Sequence, residues 1–141
     1  MQIAAPRATL TVDAIQTMLN AAVARSKELK ANVHISIYNV HAELAGFISF
    51  EGAPRIAITT ANRKAFTSSM MGMKTEDWEK FVNSIPASEL KIIDTLPGYI
   101  AAKGGYPIIK DGLVLGGIGI SGANQEIDAD IAEAALKAIG V

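Results

Sequence analysis

The sequence predicts a single α+β domain in which helices flank an antiparallel sheet. Its periodic segments follow the order helix, two strands, two helices, two strands, helix. Neighbouring strands are separated by short turns, and strands joined in this way are antiparallel. The length of 141 residues fits one domain. We expect residues 1–8 to form an N-terminal arm, interrupted by Pro6, and residues 9–141 to form the domain.

The first part of the chain predicts one long helix and a hairpin. The helix begins at Thr9 or Thr11, because either side chain can cap the free N–H groups of a first turn. Apolar residues then recur every three or four positions as far as Leu29, which is the spacing of one buried helix face. Residues 33–39 alternate between two faces, as a half-buried strand does, and residues 44–50 return antiparallel to them after a short turn.

The middle of the chain predicts two helices and an irregular segment. Residues 55–71 contain β-branched side chains, but the spacing of their small residues favours a helix. A short helix is expected over residues 75–82. Residues 84–98 contain two prolines and little periodicity, so they predict a surface loop or an irregular lid. The expected inner face of the first of these helices consists of Ile58, Ala61, Ala65 and Ser68 or Ser69.

The C-terminal part predicts a second hairpin and a final helix. Residues 106–110 and 113–121 flank Asp111-Gly112, a dipeptide typical of tight turns. The second strand and its end are rich in glycine, which allows a helix, a subunit or a ligand to approach closely. Residues 124–139 form the last helix, and Gly140 closes it.

Composition and charge exclude several classes of function. The net charge of −1 and the sequence pI of about 6.1 give no strong positive field that would attract nucleic acid. The chain has no cysteine, so disulfides and thiolate sites are excluded. It has neither a signal peptide nor an apolar run of about 20 residues, so we expect no membrane partner and a cytoplasmic location. Half of the residues are hydrophobic, which favours apolar surface buried between subunits.

Four short stretches together resemble a known family. They are residues 10–14, the first hairpin with Gly52-Ala53-Pro54, Lys64-Ala65-Phe66-Thr67, and Gly104-Gly105-Tyr106-Pro107-Ile108 followed by residues 117–122. Their order and spacing resemble the GlcG/HbpS-like proteins, which also occur as the C-terminal domain of PduO-type cobalamin adenosyltransferases. The resemblance covers about residues 9–139. This sequence departs from the family pattern at Asn39, where Asp is usual, and in residues 40–43, where a glycine-rich turn is usual.

The resemblance implies a more specific fold and a class of ligand. The implied fold is profilin-like, with a five-stranded antiparallel sheet flanked by helices. The implied assembly is a homo-oligomer, from dimer to octamer. Some members of the family bind haem and others occur in a cobalamin-related context. The resemblance therefore implies haem as the candidate cofactor here.

The candidate ligand-binding residues lie in the signature stretches. Lys64 is the central candidate, because its ammonium group can hold a carboxylate or a haem propionate, or serve as a catalytic base if its pKa is lowered. A structural salt bridge is the alternative role for this lysine. A pocket at Lys64 requires the Lys64 helix and the glycine-rich strand to lie against each other or to meet across subunits. The other candidates are Asn62, Thr67, Gly104, Gly105, Gly119 and Ser121.

The only two histidines, His34 and His41, are the candidate haem ligands. No Ser-His-Asp or Cys-His arrangement is indicated. Three functions therefore remain open. The first is an oligomeric small-ligand-binding protein for haem or another tetrapyrrole. The second is a cofactor-free lyase or isomerase that acts on a small organic acid at a subunit-interface pocket. The third is an accessory protein without catalysis.

Overall fold

The fold contains four strands and five helices. A computed structural model describes residues 1–141, of which residues 1–11 form neither helix nor strand. The α+β class predicted from the sequence is confirmed. The elements are α1 (Val12–Glu28), β1 (His34–Asn39), β2 (Leu44–Ser49), α2 (Ala57–Met71), α3 (Thr75–Ser84), α4 (Ala87–Ile93), β3 (Gly105–Lys110), β4 (Leu113–Ser121) and α5 (Gln125–Ala138).

The sheet is antiparallel throughout, with the strand order β2-β1-β4-β3. It therefore has four strands, and the fifth strand that the family resemblance implied is absent. The two hairpins already account for the segments with alternating or continuous β patterns. The remaining chain between α3 and β3 contains Pro86 and Pro97, which lack the N–H group that a strand ladder needs.

Part of the segment predicted as a loop is helical. Residues 84–98 include α4, a seven-residue helix preceded by Pro86. Proline fixes its own backbone angle and is well suited to a helix start. None of the α4 residues is buried, so the helix lacks the apolar stripe by which a sequence pattern would reveal it. The rest of the segment is irregular, as expected.

One face of the sheet carries the hydrophobic core beneath α1 and α5. Ile35 and Ile37 of β1 lie beside Ile118 and Ile120 of β4, and all four are completely buried. The two helices begin at side-chain caps, Thr11 for α1 and Asn124 for α5. Arg25 of α1 binds Asp130 of α5 through two hydrogen bonds of 2.6 and 3.1 Å. No helix is long and apolar enough to cross a membrane.

The opposite face of the sheet is covered by α2, which lies directly on the glycines of β4. A methyl group added at Gly119 would lie 2.2 Å from the carbonyl oxygen of Ala61, and one at Gly117 would lie 2.5 Å from that of Ala65. Any larger residue at these positions would push the helix off the sheet. The close approach predicted from the glycine-rich strand is therefore confirmed. The predicted inner face is correct for Ala61 and Ala65, whereas Ile58 is 39% exposed.

Candidate functional site

Lys64 lies in the seam between α2 and β4, which we call the glycine seam (Ala61, Lys64, Ala65, Gly117 and Gly119). Its side chain is 4% exposed, and its Nζ atom donates hydrogen bonds to the carbonyl oxygen of Ile120 at 2.8 Å and to Asp128 Oδ2 at 3.1 Å. The lysine therefore joins the helix on one face of the sheet to α5 on the other. The structural salt bridge, one of the two roles that the sequence left open, is present.

The Lys64–Asp128 pair is buried, and each of its charged groups has two hydrogen-bond partners. Asp128 is 2% exposed, and its second oxygen accepts the backbone N–H of Ala123 at 3.1 Å. Burial lowers the pKa of the Lys64 amine and raises the pKa of the Asp128 carboxyl, while the charge of each partner opposes the shift of the other. The Lys64 ammonium group is therefore buried and already paired with a carboxylate, so it is not an open site for a second one.

Two of the predicted glycines pack closely against Lys64, and Ser121 is bonded to a different residue of α2. A methyl group at Gly104 would lie 2.8 Å from Lys64 Nζ, and one at Gly105 would lie 2.6 Å from the Lys64 carbonyl oxygen. The hydroxyl groups of Ser121 and Thr60 form a hydrogen bond of 2.5 Å. Within one subunit, these residues therefore form a packed junction and do not line an open space.

Asn62 and Thr67 each hold a neighbouring element in place. The side-chain oxygen of Asn62 accepts a hydrogen bond from the hydroxyl of Ser36 at 2.7 Å. The hydroxyl of Thr67, which is completely buried, accepts the backbone N–H of Ile100 at 3.0 Å. Thr67 thus attaches the irregular segment after α4 to α2.

The two histidines differ in burial and in hydrogen bonding. His34 is 3% exposed, and both of its ring nitrogens are engaged, Nδ1 with the hydroxyl of Ser49 at 2.7 Å and Nε2 with the carbonyl oxygen of Pro54 at 2.8 Å. Iron coordination by His34 would break one of these bonds. His41 is exposed in the turn between β1 and β2, so its ring is accessible.

The turn that carries His41 is built differently from the glycine-rich turn of the family, and Asn39 explains how. The Asn39 side chain accepts the backbone N–H groups of His41 at 2.9 Å and Glu43 at 3.1 Å, and it donates to the Glu43 carboxylate at 2.9 Å. An aspartate could not make the third bond. The turn and the nearby N-terminal arm enclose a cleft of about 340 Å³, which we call the hairpin cleft, lined by Arg7, Val40, His41, Ala42, Ser69 and Met70.

A larger open space lies between α2, α3 and α4 and the segment that follows α4. We call it the aromatic groove; its volume is about 410 Å³. Eight of its 13 lining residues are hydrophobic, although polar atoms form more of its exposed surface; Arg63 supplies one cation and Asp94 one carboxylate. Its lining residues are Arg63, Trp78, Val82, Leu90, Ile93, Asp94, Thr95, Leu96, Pro97, Gly98, Tyr99, Ile100 and Ala101.

Two aromatic side chains, Trp78 and Tyr99, line the aromatic groove, and each of them contacts a further aromatic ring. The Tyr99 ring lies 5.5 Å from Trp78 and 5.6 Å from Phe66, centre to centre, and Trp78 lies 5.5 Å from Phe81. These distances are in the range of favourable aromatic pairs. The Thr67 bond to Ile100 holds the Tyr99 segment beside these rings. The groove therefore presents the Tyr99 ring and several hydrophobic side chains beside the Arg63 guanidinium, which suits a ligand with both an apolar part and an anionic group.

Sequence reasoning did not identify the residues of the aromatic groove. Arg63 is adjacent to Lys64, but the signature drew attention to the lysine, which points into the protein. Trp78 is the only tryptophan, and Tyr99 follows Pro97-Gly98 in a segment without periodicity. A single tryptophan beside an irregular, proline-bounded segment was the available signal. The groove itself could not be foreseen, because it depends on where α4 lies relative to α2.

Comparisons with known proteins give one consistent family. A family model described as "Haem degrading protein HbpS-like" matches residues 10–137. The corrinoid adenosyltransferase PduO of Citrobacter freundii is 33% identical over 138 residues, which are 96% of this chain and 41% of that protein. PduO of Salmonella typhimurium is 32% identical over 129 residues, 90% of this chain and 38% of that protein. The chain thus spans about two-fifths of the length of these curated relatives.

Solved structures show the same fold. A crystal structure described as a complex of PduOC with haem has a TM-score of 0.86 and 29% identity, and the match covers 94% of this chain and 96% of that one. The crystal structure of HbpS has a TM-score of 0.88 and 26% identity over 99% of this chain and 96% of that one.

Proposed function

The chain belongs to the HbpS-like family, and from this premise we propose that it binds haem or a related tetrapyrrole in the aromatic groove. The relative that was crystallised with haem supports the class of ligand. The observation that carries the location is the groove itself, because it combines eight hydrophobic lining residues with an exposed cation. The glycine seam is closely packed and offers no such surface.

The residues of the aromatic groove fit the chemistry of haem. A volume of about 410 Å³ lies within the range of about 300–1,000 Å³ that is usual for ligand sites. The partly exposed ring of Tyr99, which packs on the buried Trp78, suits a flat macrocycle. The Arg63 guanidinium can form a bidentate pair with a propionate, which a lysine cannot do. Bound haem would supply an iron atom whose chemistry depends on its axial ligand.

Tyr99 is the candidate axial ligand in this proposal. Phenolate, imidazole, thiolate and thioether groups ligate haem iron, and Tyr99 alone among the groove residues carries one of them. His34 is already bonded at both ring nitrogens. His41, the other candidate from the sequence, lies in the hairpin cleft with Arg7 and Met70 and is the competing location.

Titration with haemin, followed by the Soret absorbance, tests the location. We expect saturable binding that Arg63→Gln weakens by about tenfold or more, since a hydrogen bond to a charged group contributes about 1.5–3 kcal/mol. Arg55→Gln is the matched control, because Arg55 is also exposed but lies outside the groove. A Soret band that stays identical to that of free haemin, or equal weakening by the two substitutions, would contradict the proposal.

The positions of the Soret and visible bands test which residue binds the haem iron. Tyr99→Phe removes the hydroxyl and keeps the ring, so we expect altered bands with most of the affinity retained. His41→Ala should leave the spectrum unchanged. The opposite result, a spectrum sensitive only to His41, would place the iron in the hairpin cleft.

A cofactor-free lyase or isomerase acting on a small organic acid is the second candidate function. The observation in its favour is Lys64, whose pKa burial lowers, as a catalytic base requires. It ranks second because Asp128 and Ile120 already occupy the amine. Thermal-shift measurements with small carboxylic acids test it, because a ligand at 100 times its dissociation constant adds about 2.7 kcal/mol. Stability unchanged by every acid and by haemin would leave the third candidate, an accessory protein without catalysis.

Self-association into a homo-oligomer, between dimer and octamer, is part of the proposal. Several large apolar side chains are exposed on the isolated subunit, including Ile56 at 78%, Ile92 at 64% and Leu44 at 54%. Burial between subunits would remove this surface from water. Light scattering during size-exclusion chromatography measures the mass, and a stable monomer would contradict this part.

A further inference from the structure

Ser49 and His34 are hydrogen-bonded as a nucleophile and a base are, and they lie outside the hairpin cleft and the aromatic groove. Ser49 Oγ lies 2.7 Å from His34 Nδ1, and the carbonyl oxygen of Pro54 lies 2.8 Å from His34 Nε2. A carbonyl oxygen can only accept, so Nε2 carries the hydrogen of the neutral ring and Nδ1 accepts the Ser49 hydroxyl proton. This order of nucleophile, base and orienting group is the one that activates serine.

The register of the sheet produces this contact. His34 and Ser49 lie opposite each other in β1 and β2, and the adjacent bond from Phe50 N–H to the Val33 carbonyl oxygen makes them a non-hydrogen-bonded pair. Side chains approach most closely in such pairs. The same register directs the N–H of Ser49 to the open edge of the sheet, since β2 is an edge strand. There it can donate to the oxygen of a carbonyl group that Ser49 attacks.

His34 and Ser49 differ in burial, as a fixed base and an accessible nucleophile do. His34 is 3% exposed, and its ring is stacked on Phe47 with 6.1 Å between ring centres and 18° between ring planes. The base is therefore held in one orientation. Ser49 is exposed, so a substrate can reach its hydroxyl from solvent.

We propose that Ser49 is a nucleophile that His34 activates toward activated carboxylic esters, independently of haem binding. Ser49 Oγ bonds to the acyl carbon while its proton passes to His34 Nδ1, and the Pro54 carbonyl stabilises the resulting imidazolium. The bond from the acyl carbon to the leaving oxygen then breaks, and that oxygen takes the proton from His34. The products are acylated Ser49 and an alcohol. Water then hydrolyses the acyl-serine with His34 again as base.

Acetylation by p-nitrophenyl acetate tests the proposal. We expect one acetyl group on Ser49, mapped by peptide mass spectrometry, and its loss in Ser49→Ala. Ser88→Ala is the matched control, because Ser88 is an exposed serine on α4 with no histidine bonded to it. Acetyl groups spread over lysines alone, in the same pattern for the native chain and Ser49→Ala, would overturn the proposal.

A second measurement uses the absence of cysteine from the chain. Ser49→Cys and Ser88→Cys each introduce a single thiol. Beside His34 the thiolate is favoured, so its pKa should fall below the value of about 8.5 of a free thiol. We expect alkylation by iodoacetamide at neutral pH to be about tenfold faster at position 49. Equal rates would overturn the proposal, and because haem takes no part, the result is independent of the proposed function.

Discussion

The buried pair of Lys64 and Asp128 gives a prediction whose size follows from the structure. Lys64→Met keeps the length of the side chain but leaves the Asp128 carboxylate, which is 2% exposed, without its cation. Removing one partner of a buried pair costs about 3–5 kcal/mol, because an unpaired charge remains. A slope of about 1–3 kcal/mol per molar urea converts this loss into a fall of at least 1 M in the urea midpoint.

The double variant separates the charge from the packing. Asp128→Asn removes the charge and keeps an oxygen for the Ala123 N–H, so Lys64→Met with Asp128→Asn should recover most of the lost stability. Lys80→Met is the control, since Lys80 and its partner Asp77 are exposed and 3.7 Å apart; we expect a change within about 0.5 kcal/mol.

The pH dependence of the single variant adds a second check. Burial raises the pKa of Asp128, and loss of Lys64 removes the charge that opposes this shift. The folded carboxyl then binds a proton at a higher pH than the unfolded one, so acidification should reduce the deficit of Lys64→Met. A deficit below about 1 kcal/mol at neutral pH, or a double variant no more stable than the single one, would refute the reasoning.

Two further predictions concern the turn and the α1–α5 contact. Asn39→Asp places a carboxylate against Glu43 and loses a hydrogen bond of 2.9 Å, so the melting temperature should fall by a few degrees, about 1 kcal/mol, and Glu43→Gln should restore it. Arg25 lowers the pKa of the Asp130 carboxyl from 3.8, so Asp130 stabilises the fold above pH 3.8 and loses this effect as pH falls through the lowered pKa. Asp130→Asn should therefore cost at most about 1 kcal/mol at neutral pH and almost nothing in strong acid, as urea unfolding at both pH values would show. A difference that persists in acid would mean that Asp130 acts through packing.

Much of the fold follows from local patterns that the sequence displays directly. The three-to-four-residue spacing before Leu29 predicted α1, and the alternation of residues 33–39 predicted β1. Asp111-Gly112 predicted the turn of the second hairpin. The glycines of β4 predicted a close neighbour, and α2 lies there. The fourth helix was missed because none of its residues is buried, and a fifth strand came only from the resemblance.

The sequence by itself determined the four strands, their pairing into hairpins and every helix except α4, because these depend on residues close together in the chain. Only the tertiary structure decided what Lys64 binds: Asp128 lies 64 residues away in the chain, and its carboxylate meets the Lys64 amine beside the carbonyl oxygen of Ile120. The same holds for His34, which Ser49 and Pro54 engage, and for the aromatic groove, which exists only where α2, α3 and α4 meet. Such contacts form between segments that the packing of helices on the sheet brings together, and no local period records them.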